Sequence, residues 1–295
     1  MTRVLFFSAG TTGSGHIVRG LAVAAAFKRL GIQHEYAILS SDIPYARLAT
    51  RLEVSVSVFP DEGEEALRRG RYLDSSLFKA ITAYAPDILI VEQFWHGLDA
   101  FIRELPCRKV LLTFQMDPVV FHLRIRENEY VLRPADYDLI LRTEPGYGVP
   151  FAAREINPMV LRNRGEILDL RAARADMGLA DGERACLFAC SGEEAQVADA
   201  WKSFSYLEGE GWKVIRSLHR EGGLFPTIDW FNAFDLLVCG AGYNAFWEAR
   251  WMRKEAYFVP FPRRFENQAR RIAQFSDYEF DTNGADELVG MLQGL

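Results

Sequence analysis

A histidine stands where an apolar run gives way to glycines and then to a helical stretch: Val4-Leu5-Phe6-Phe7-Ser8-Ala9-Gly10-Thr11-Thr12-Gly13-Ser14-Gly15-His16. An imidazole titrates near neutral pH and can take a proton from a hydroxyl, so His16 is the candidate base. Gly13 and Gly15 leave no Cβ between the main chain and a ligand. A helix that starts at such a turn offers free N–H groups and the positive end of its dipole, which favours an anionic group. The same stretch could be a plain strand-to-helix connection. It does not read as a dinucleotide fingerprint, because the third glycine of G-x-G-x-x-G falls at Val18. The acid expected about 20 residues on, at the end of the next strand, is also missing. Glu35 lies at that strand's start instead.

Three turns in the second half carry further chemistry. Cys239-Gly240-Ala241-Gly242-Tyr243-Asn244 follows an apolar run and opens a helix. It is small and uncharged, so its N–H groups can approach a diphosphate. Glu248 follows one and a half turns later, where a carboxylate suits the paired hydroxyls of a ribose. The alternative is a solvated Glu248 beside Arg250 or Arg253. Pro260-Phe261-Pro262-Arg263-Arg264-Phe265-Glu266-Asn267-Gln268 ends a strand and starts another helix. Asn267 and Gln268 each offer one acceptor and two donors, which suits sugar hydroxyls; a capping role is the alternative. Ser191 and Glu194 match the S-x-x-E capping box, and Glu193 and Glu194 would repel a phosphate. Glu92 and His96, after the fourth strand, are candidate acceptor-side contacts, or else a loop acid and a loop histidine in water.

The elements that must position these residues are strands alternating with helices. Strands are expected at the opening run, His34–Ser40, Val54–Phe59, Asp87–Val91, Val110–Phe114 and Tyr137–Leu141. Helices are expected from Leu21 on, near Ser41–Pro44, at Asp61–Glu65 and over Leu73–Tyr84. Glu144-Pro145-Gly146-Tyr147-Gly148-Val149-Pro150 interrupts the alternation and is the expected domain boundary. A second series follows. It has strands at Ala185–Ala189, Trp212–Leu218, Asp235–Cys239 and Ala256–Phe261. Its helices are Leu168–Met177, Glu194–Phe204, Tyr243–Trp251, Asn267–Phe275 and Glu287–Leu292. Alternation of this kind implies an α/β fold with parallel sheets, whose ligands bind beyond the carboxyl ends of the strands. Two domains, 1–150 and 151–295, are expected to face each other across a cleft.

The chain has 295 residues, 49% hydrophobic and 25% charged, which suits a globular protein. A net charge of −6 argues against nucleic acid as the main partner. Cys107, Cys186, Cys190 and Cys239 are scattered and read as buried thiols in a reducing cytosol. The five histidines do not cluster at metal-ligand spacing, so no metal is expected. The opening residues run straight into a core strand, so a cytoplasmic location without a leader is expected. No basic amphipathic stretch supports a membrane surface as partner.

Taken together, these motifs resemble GT-B glycosyltransferases, two Rossmann-like domains in one chain. The group includes the enzymes that add N-acetylglucosamine to the lipid-linked peptidoglycan precursor. In that family a Gly-rich turn ending in Gly-His opens the first domain, followed by a run much like Gly20-Leu21-Ala22-Val23-Ala24. The second domain carries a Gly-Ala turn with a glutamate six residues after the glycine, as Gly242 and Glu248 stand here. A Val-Pro-Phe strand end then leads to a paired polar motif, as Val259-Pro260-Phe261 leads to Asn267-Gln268. The form Gly13-Ser14-Gly15-His16-Ile17-Val18-Arg19 is similar to a G-x-G-H-x-x-R variant, seen in the UDP-sugar hydrolase of pseudaminic acid synthesis. The resemblance implies that Glu248 holds a ribose and that the Gly240–Asn244 turn holds a diphosphate. Asn267 and Gln268 would hold the donor sugar, and groups near Phe225 would flank the base. It also implies His16 as the catalytic group.

The reaction so implied is inverting, metal-independent transfer from a nucleoside-diphosphate sugar, UDP-linked by preference, to an acceptor hydroxyl. The nucleotide sugar would be substrate, with no further cofactor. Two alternatives stay open: hydrolysis at the same donor site, and nucleotide-sugar binding without catalysis. Phe94, Trp95, Phe121 and Phe225 could line an apolar acceptor pocket or belong to the core.

Overall fold

The computed structural model describes residues 1–9, 15–41, 49–50, 52–60, 66–67, 70–217 and 223–295. Gly13, the Ser41–Pro44 helix start beyond Ser41, and the Asp61–Glu65 helix start lie outside them. The chain forms two units. One is Met1–Pro158 with Gly284–Leu295, and the other is Met159–Asn283. The sequence reading divides the chain at 150 and leaves the last helix with the second half. In the structure the division falls at Pro158, and the last helix belongs with the first unit.

The first unit is built on a 7-stranded sheet. Its strands are β1 (Thr2–Ser8), β2 (His34–Ser40), β3 (Ser55–Val58), β4 (Ile88–Glu92), β5 (Arg108–Thr113), β8 (Leu139–Arg142) and β9 (Arg154–Glu155). Their order is β3-β2-β1-β4-β5-β8-β9, parallel throughout. β4 is buried at every position, as a strand covered on both faces must be. Helix α1 (Gly15–Arg29) buries Ile17, Val18, Leu21, Ala22, Val23, Ala26 and Phe27. Gly20 permits this closeness, since a Cβ there would lie 2.8 Å from Ile38 Cδ1. Helix α2 (Ser76–Tyr84) is capped by Ser75 Oγ, which accepts from Phe78 N at 3.1 Å. β6 (His122–Ile125) and β7 (Asn128–Val131) form an antiparallel hairpin that the sequence reading missed.

The second unit has a 4-stranded parallel sheet in the order β11-β10-β12-β13. The strands are β10 (Ala185–Ala189), β11 (Lys213–Arg216), β12 (Leu236–Gly240) and β13 (Ala256–Val259). Alternate residues feed two cores. Leu187 and Leu237 pack with Ile228, Phe231 and Phe234 on one face. Cys186, Phe188, Leu236 and Val238 pack with Val197 and Phe261 on the other. The helices are α3 (Leu170–Asp176), α4 (Glu194–Phe204), α5 (Tyr206–Gly209), α6 (Tyr243–Trp251) and α7 (Gln268–Phe275). Cys186, Cys190 and Cys239 are buried thiols and Cys107 is half-buried. Burial pushes Cys186 and Cys190 up to about 12, which makes them packing groups rather than nucleophiles.

Helix α8 (Gly284–Leu292) closes the first unit against α1, with Arg29 Nη2 and Asp286 Oδ1 2.5 Å apart. Asn157 Nδ2 donates to Glu287 Oε1 at 2.6 Å, and Gly284 N donates to Pro158 O at 3.0 Å. The approach is so tight that a Cβ on Gly284 would fall 1.8 Å from Asn157 O. Gly284→Ala must therefore move backbone, and about 2 kcal/mol or more of stability should be lost. A urea titration followed by circular dichroism measures this; an unchanged midpoint would contradict the packing.

Candidate functional site

The order of the first sheet places its topological switch between β1 and β4. The chain winds outward from β1 through β2 to β3, then returns to β4 and winds the other way. Connections diverge at such a point and leave a crevice beyond the strand ends, where ligands bind. The first turn of α1 and the last residue of β4 meet there. His16 Nδ1 lies 2.5 Å from Glu92 Oε2. Arg19 Nε donates to the other oxygen, Glu92 Oε1, at 2.6 Å, and Arg19 Nη2 pairs with it too. The same Nη2 is 3.0 Å from His16 Nδ1. The His16 side chain keeps 13% of its surface exposed, whereas that of Glu92 has none.

These contacts fix protonation. Burial alone would raise the Glu92 carboxyl, but the Arg19 and His16 charges and hydrogen bonds oppose it and bring it to about 2. An ionised carboxylate needs a donor, so Nδ1–H of His16 donates to Glu92 Oε2 and leaves Nε2 as the ring nitrogen turned away from the pair. The Arg19–Nδ1 approach is then a contact of charge rather than a second hydrogen bond. Glu92 is therefore neither a loop acid in water nor a free contact; it orients the histidine.

Aromatic rings continue from this cluster. The Phe94 ring centroid is 5.1 Å from His16, and Phe114 is 6.4 Å away with the Arg19 guanidinium 4.4 Å over it. His96 is half-buried, edge-on to Phe94 at 6.4 Å and to Tyr130 of the missed hairpin at 6.1 Å. Trp95 and Phe121 are core, at 2% and 5% exposure. Gln93 and Gln115 stand in the two strand-end stretches, Glu92–Gly97 and Gln115–Pro118, where the sequence places ligand-facing loops, but neither is assigned a role there. Gln93 Oε1 accepts from Phe114 N at 3.3 Å, and Gln115 N donates to the buried Glu144 at 2.8 Å.

In the second unit the switch lies between β10 and β12. Gly240 ends β12, and a Cβ on it would press to 3.1 Å of Phe261 Cε2. Ala241 N still serves the sheet, donating to Val259 O at 2.9 Å. Gly242 is the N-cap of α6 and supplies no side-chain cap to the first turn, where Asn244 lies. Its Cβ position would be 3.8 Å from Gln268 Nε2. Arg271, fully buried, donates to Ala241 O at 2.8 Å and pairs with Glu266, so it braces the turn from beneath. Nothing in the sequence marked Arg271, which lies 30 residues away from its partner.

Gln268 Oε1 accepts from Phe261 N at 2.8 Å, while its Nε2 donates to Glu266 at 3.1 Å. Its amide thus holds the strand end as well as facing the turn. Asn267 caps α7, accepting from Arg270 N at 2.9 Å. Asn267→Ala should lower stability by roughly 1 kcal/mol. Thermal melts with and without nucleotide sugar separate this loss from any loss of ligand response. The other capping box shifts: it is Glu193 with Gln196, not Ser191 with Glu194. Arg263 Nη1 donates to Gln196 at 3.1 Å, which ties this loop to the end of β13. Phe225 is half-buried in the turn before Thr227–Ala233.

Glu248 is buried within α6 and forms no ion pair with Arg250 or Arg253. Burial raises its carboxyl, Asp229 raises it further, and Arg162 offsets only part; the result is about 8. Asp136-Tyr137-Asp138 has the Asp-x-Asp spacing that could hold a divalent cation. Both acids are otherwise engaged. Asp136 pairs with Arg103 at 2.6 Å and Arg133 at 2.8 Å, and Asp138 with Arg108 at 2.8 Å. Among the described residues no cluster of His, Cys, Asp or Glu could hold a metal. Among them, too, no helix is long and apolar enough to cross a membrane.

No family model and no curated protein matches the chain. Solved structures do. The spinosyn rhamnosyltransferase SpnG complexed with thymidine diphosphate aligns over 100% of this chain and 92% of its own, at 14% identity and a TM-score of 0.56. The spinosyn forosaminyltransferase SpnP aligns over 99% and 89%, at 13% identity and a TM-score of 0.60. MurG of Acinetobacter baumannii aligns over 99% and 91%, at 14% identity and a TM-score of 0.53. The chain thus has the GT-B fold of these glycosyltransferases, an α/β architecture of two Rossmann-like units.

Proposed function

We propose that the protein is a glycosyltransferase. It moves a sugar from a nucleoside-diphosphate sugar, UDP-linked by preference, to an acceptor hydroxyl with inversion and without a metal. The observation that carries this reading is the His16–Glu92 pair at the switch point of the first sheet. The glycosyltransferase fold supports it, as does the complex of SpnG with thymidine diphosphate.

In this reading His16 Nε2 takes the acceptor proton as the acceptor oxygen attacks the anomeric carbon. The bond from that carbon to the diphosphate oxygen breaks, and the nucleoside diphosphate leaves with the electron pair. Glu92 holds Nδ1–H and stabilises the imidazolium that forms. The N-terminus of α6, from Gly240 through Asn244, receives the diphosphate charge. Glu248 accepts from the ribose hydroxyls. Phe225 lies beside the base, and Gln268 and Asn267 lie beside the sugar. Gly15 is assigned to the donor side and His96 to the acceptor side. The catalytic steps suit the cytoplasm, where nucleotide sugars are made.

The test is a thermal-shift panel of nucleotides and nucleotide sugars, followed by product analysis with labelled donor. Selective stabilisation by one nucleoside diphosphate, and label transferred to an added acceptor, support the reading. Label released to water at the same rate whatever the acceptor indicates hydrolysis. Stabilisation without turnover indicates a binding protein.

A further inference from the structure

We propose that Arg19 is a positioning residue that balances the charge of Glu92 and thereby keeps His16 a neutral, correctly turned base. The sequence shows Arg19 only as the last letter of G-x-G-H-x-x-R. The structure gives it a place. His16 and Arg19 are three residues apart on α1, so both point from one helix face toward β4. Arg19 is 3% exposed, its Nε is on Glu92 Oε1 at 2.6 Å, and its Nη2 is 3.0 Å from His16 Nδ1.

Two charges of opposite sign therefore bear on one imidazole. The carboxylate favours the imidazolium and the guanidinium opposes it. A carboxylate acting alone at this distance would hold the ring protonated to higher pH and occupy the nitrogen meant to accept a proton. With Arg19 present, Glu92 keeps its orienting hydrogen bond while its field at the ring is largely cancelled. Around the ring, β4 contributes Glu92 and the loop after it Phe94 and His96. α1 contributes Arg19, and the end of β5 contributes the Phe114 ring. Glu144, beyond β8, is bound to Gln115 N.

The consequence for turnover rests on the transferase reading, but the charge balance does not, so the test reads the two separately. Imidazole 15N NMR of the unliganded full chain follows His16, whose signals are identified by their loss in His16→Gln. In Arg19→Met the His16 titration should move up by about one pH unit or more relative to the native chain. In Glu92→Gln it should move down, because the guanidinium is left uncompensated. The double variant should return toward native. Opposite shifts are the signature of balanced charges; a structural disturbance moves both variants alike. An unmoved titration in a folded Arg19→Met overturns the proposal. If that variant does not fold, the absence of a downward shift in Glu92→Gln does so. In an active enzyme the acid limb of kcat/KM follows Arg19→Met upward. The NMR shifts without turnover of any donor would sink the transferase reading and leave the role of Arg19 standing.

Discussion

His16→Ala is expected to lower turnover at saturating donor and acceptor by roughly 10²–10⁴-fold, the usual worth of a positioned proton acceptor. Nucleoside-diphosphate affinity should stay within about two-fold, since binding of the diphosphate is assigned to the second unit. Steady-state kinetics with a calorimetric Kd for the nucleotide separate the two. Glu92→Gln should lose nearly as much turnover, because a neutral amide neither selects the Nδ1–H tautomer nor stabilises an imidazolium. Its geometry permits a clean comparison, as Gln has nearly the shape of Glu. If His16→Ala retains native turnover, the base has been misassigned, whatever the fold.

The second large effect concerns Glu248. Its carboxyl is raised to about 8 in the folded chain, chiefly by burial, against an ordinary value of 4.5. The sign follows from linkage. Below the unfolded value both states hold the proton, and the buried neutral acid carries no penalty. As pH rises from there through the folded value, the unfolded state ionises first and stability is lost. The loss is on the order of a few kcal/mol and levels off above the folded value. Glu248→Gln removes the titration. Its melting temperature should therefore gain on the native chain between about pH 5 and pH 9, most at the alkaline end.

Ligand binding should show the opposite preference. Ribose hydroxyls donate to a carboxylate, so nucleoside-diphosphate binding near pH 7 should release a proton from Glu248. Calorimetry in buffers of different ionisation enthalpy detects that release. Glu248→Gln should weaken nucleotide binding by about ten-fold or more, the worth of hydrogen bonds to a charged group. A variant that gains stability at high pH and loses affinity fits a ligand carboxylate held in a dry site. Gain without loss would leave Glu248 a buried acid with no ligand.

Much of the alternation was legible because buried parallel strands and amphipathic helices leave unlike patterns. His34–Ser40, Ala185–Ala189, Glu194–Phe204 and Tyr243–Trp251 have the expected limits. The β6–β7 hairpin was not legible. Its turn has Arg126 at φ 54, where Asn or Gly would ordinarily announce the reversal. The expected limit at 150 rests on Gly and Pro density, whereas each compact unit is held by long-range bonds that local composition does not show. The Val160 amide and Asn283, for instance, are 123 positions apart. His16 stood out by its glycine neighbours. Glu92 stood out as an acceptor-side candidate but not as the partner of His16, because a loop acid and a buried one look alike until a partner 76 positions away is brought beside it. Gln268 shows the same limit in reverse: its residue type suggested a ligand, but its bonds to Phe261 and Glu266 are structural as well.

The return of α8 to the first unit has a consequence for biosynthesis. The second unit is one uninterrupted segment, so a ribosome delivers all of it before the first unit is whole. Until Asp286 has emerged, Arg29 and the outer side of α1 lack their cover, and with them the helix that bears His16 lacks its brace. The unit translated first is thus the last to mature, and a nascent chain halted near Asn283 would carry a complete second unit and an incomplete first one.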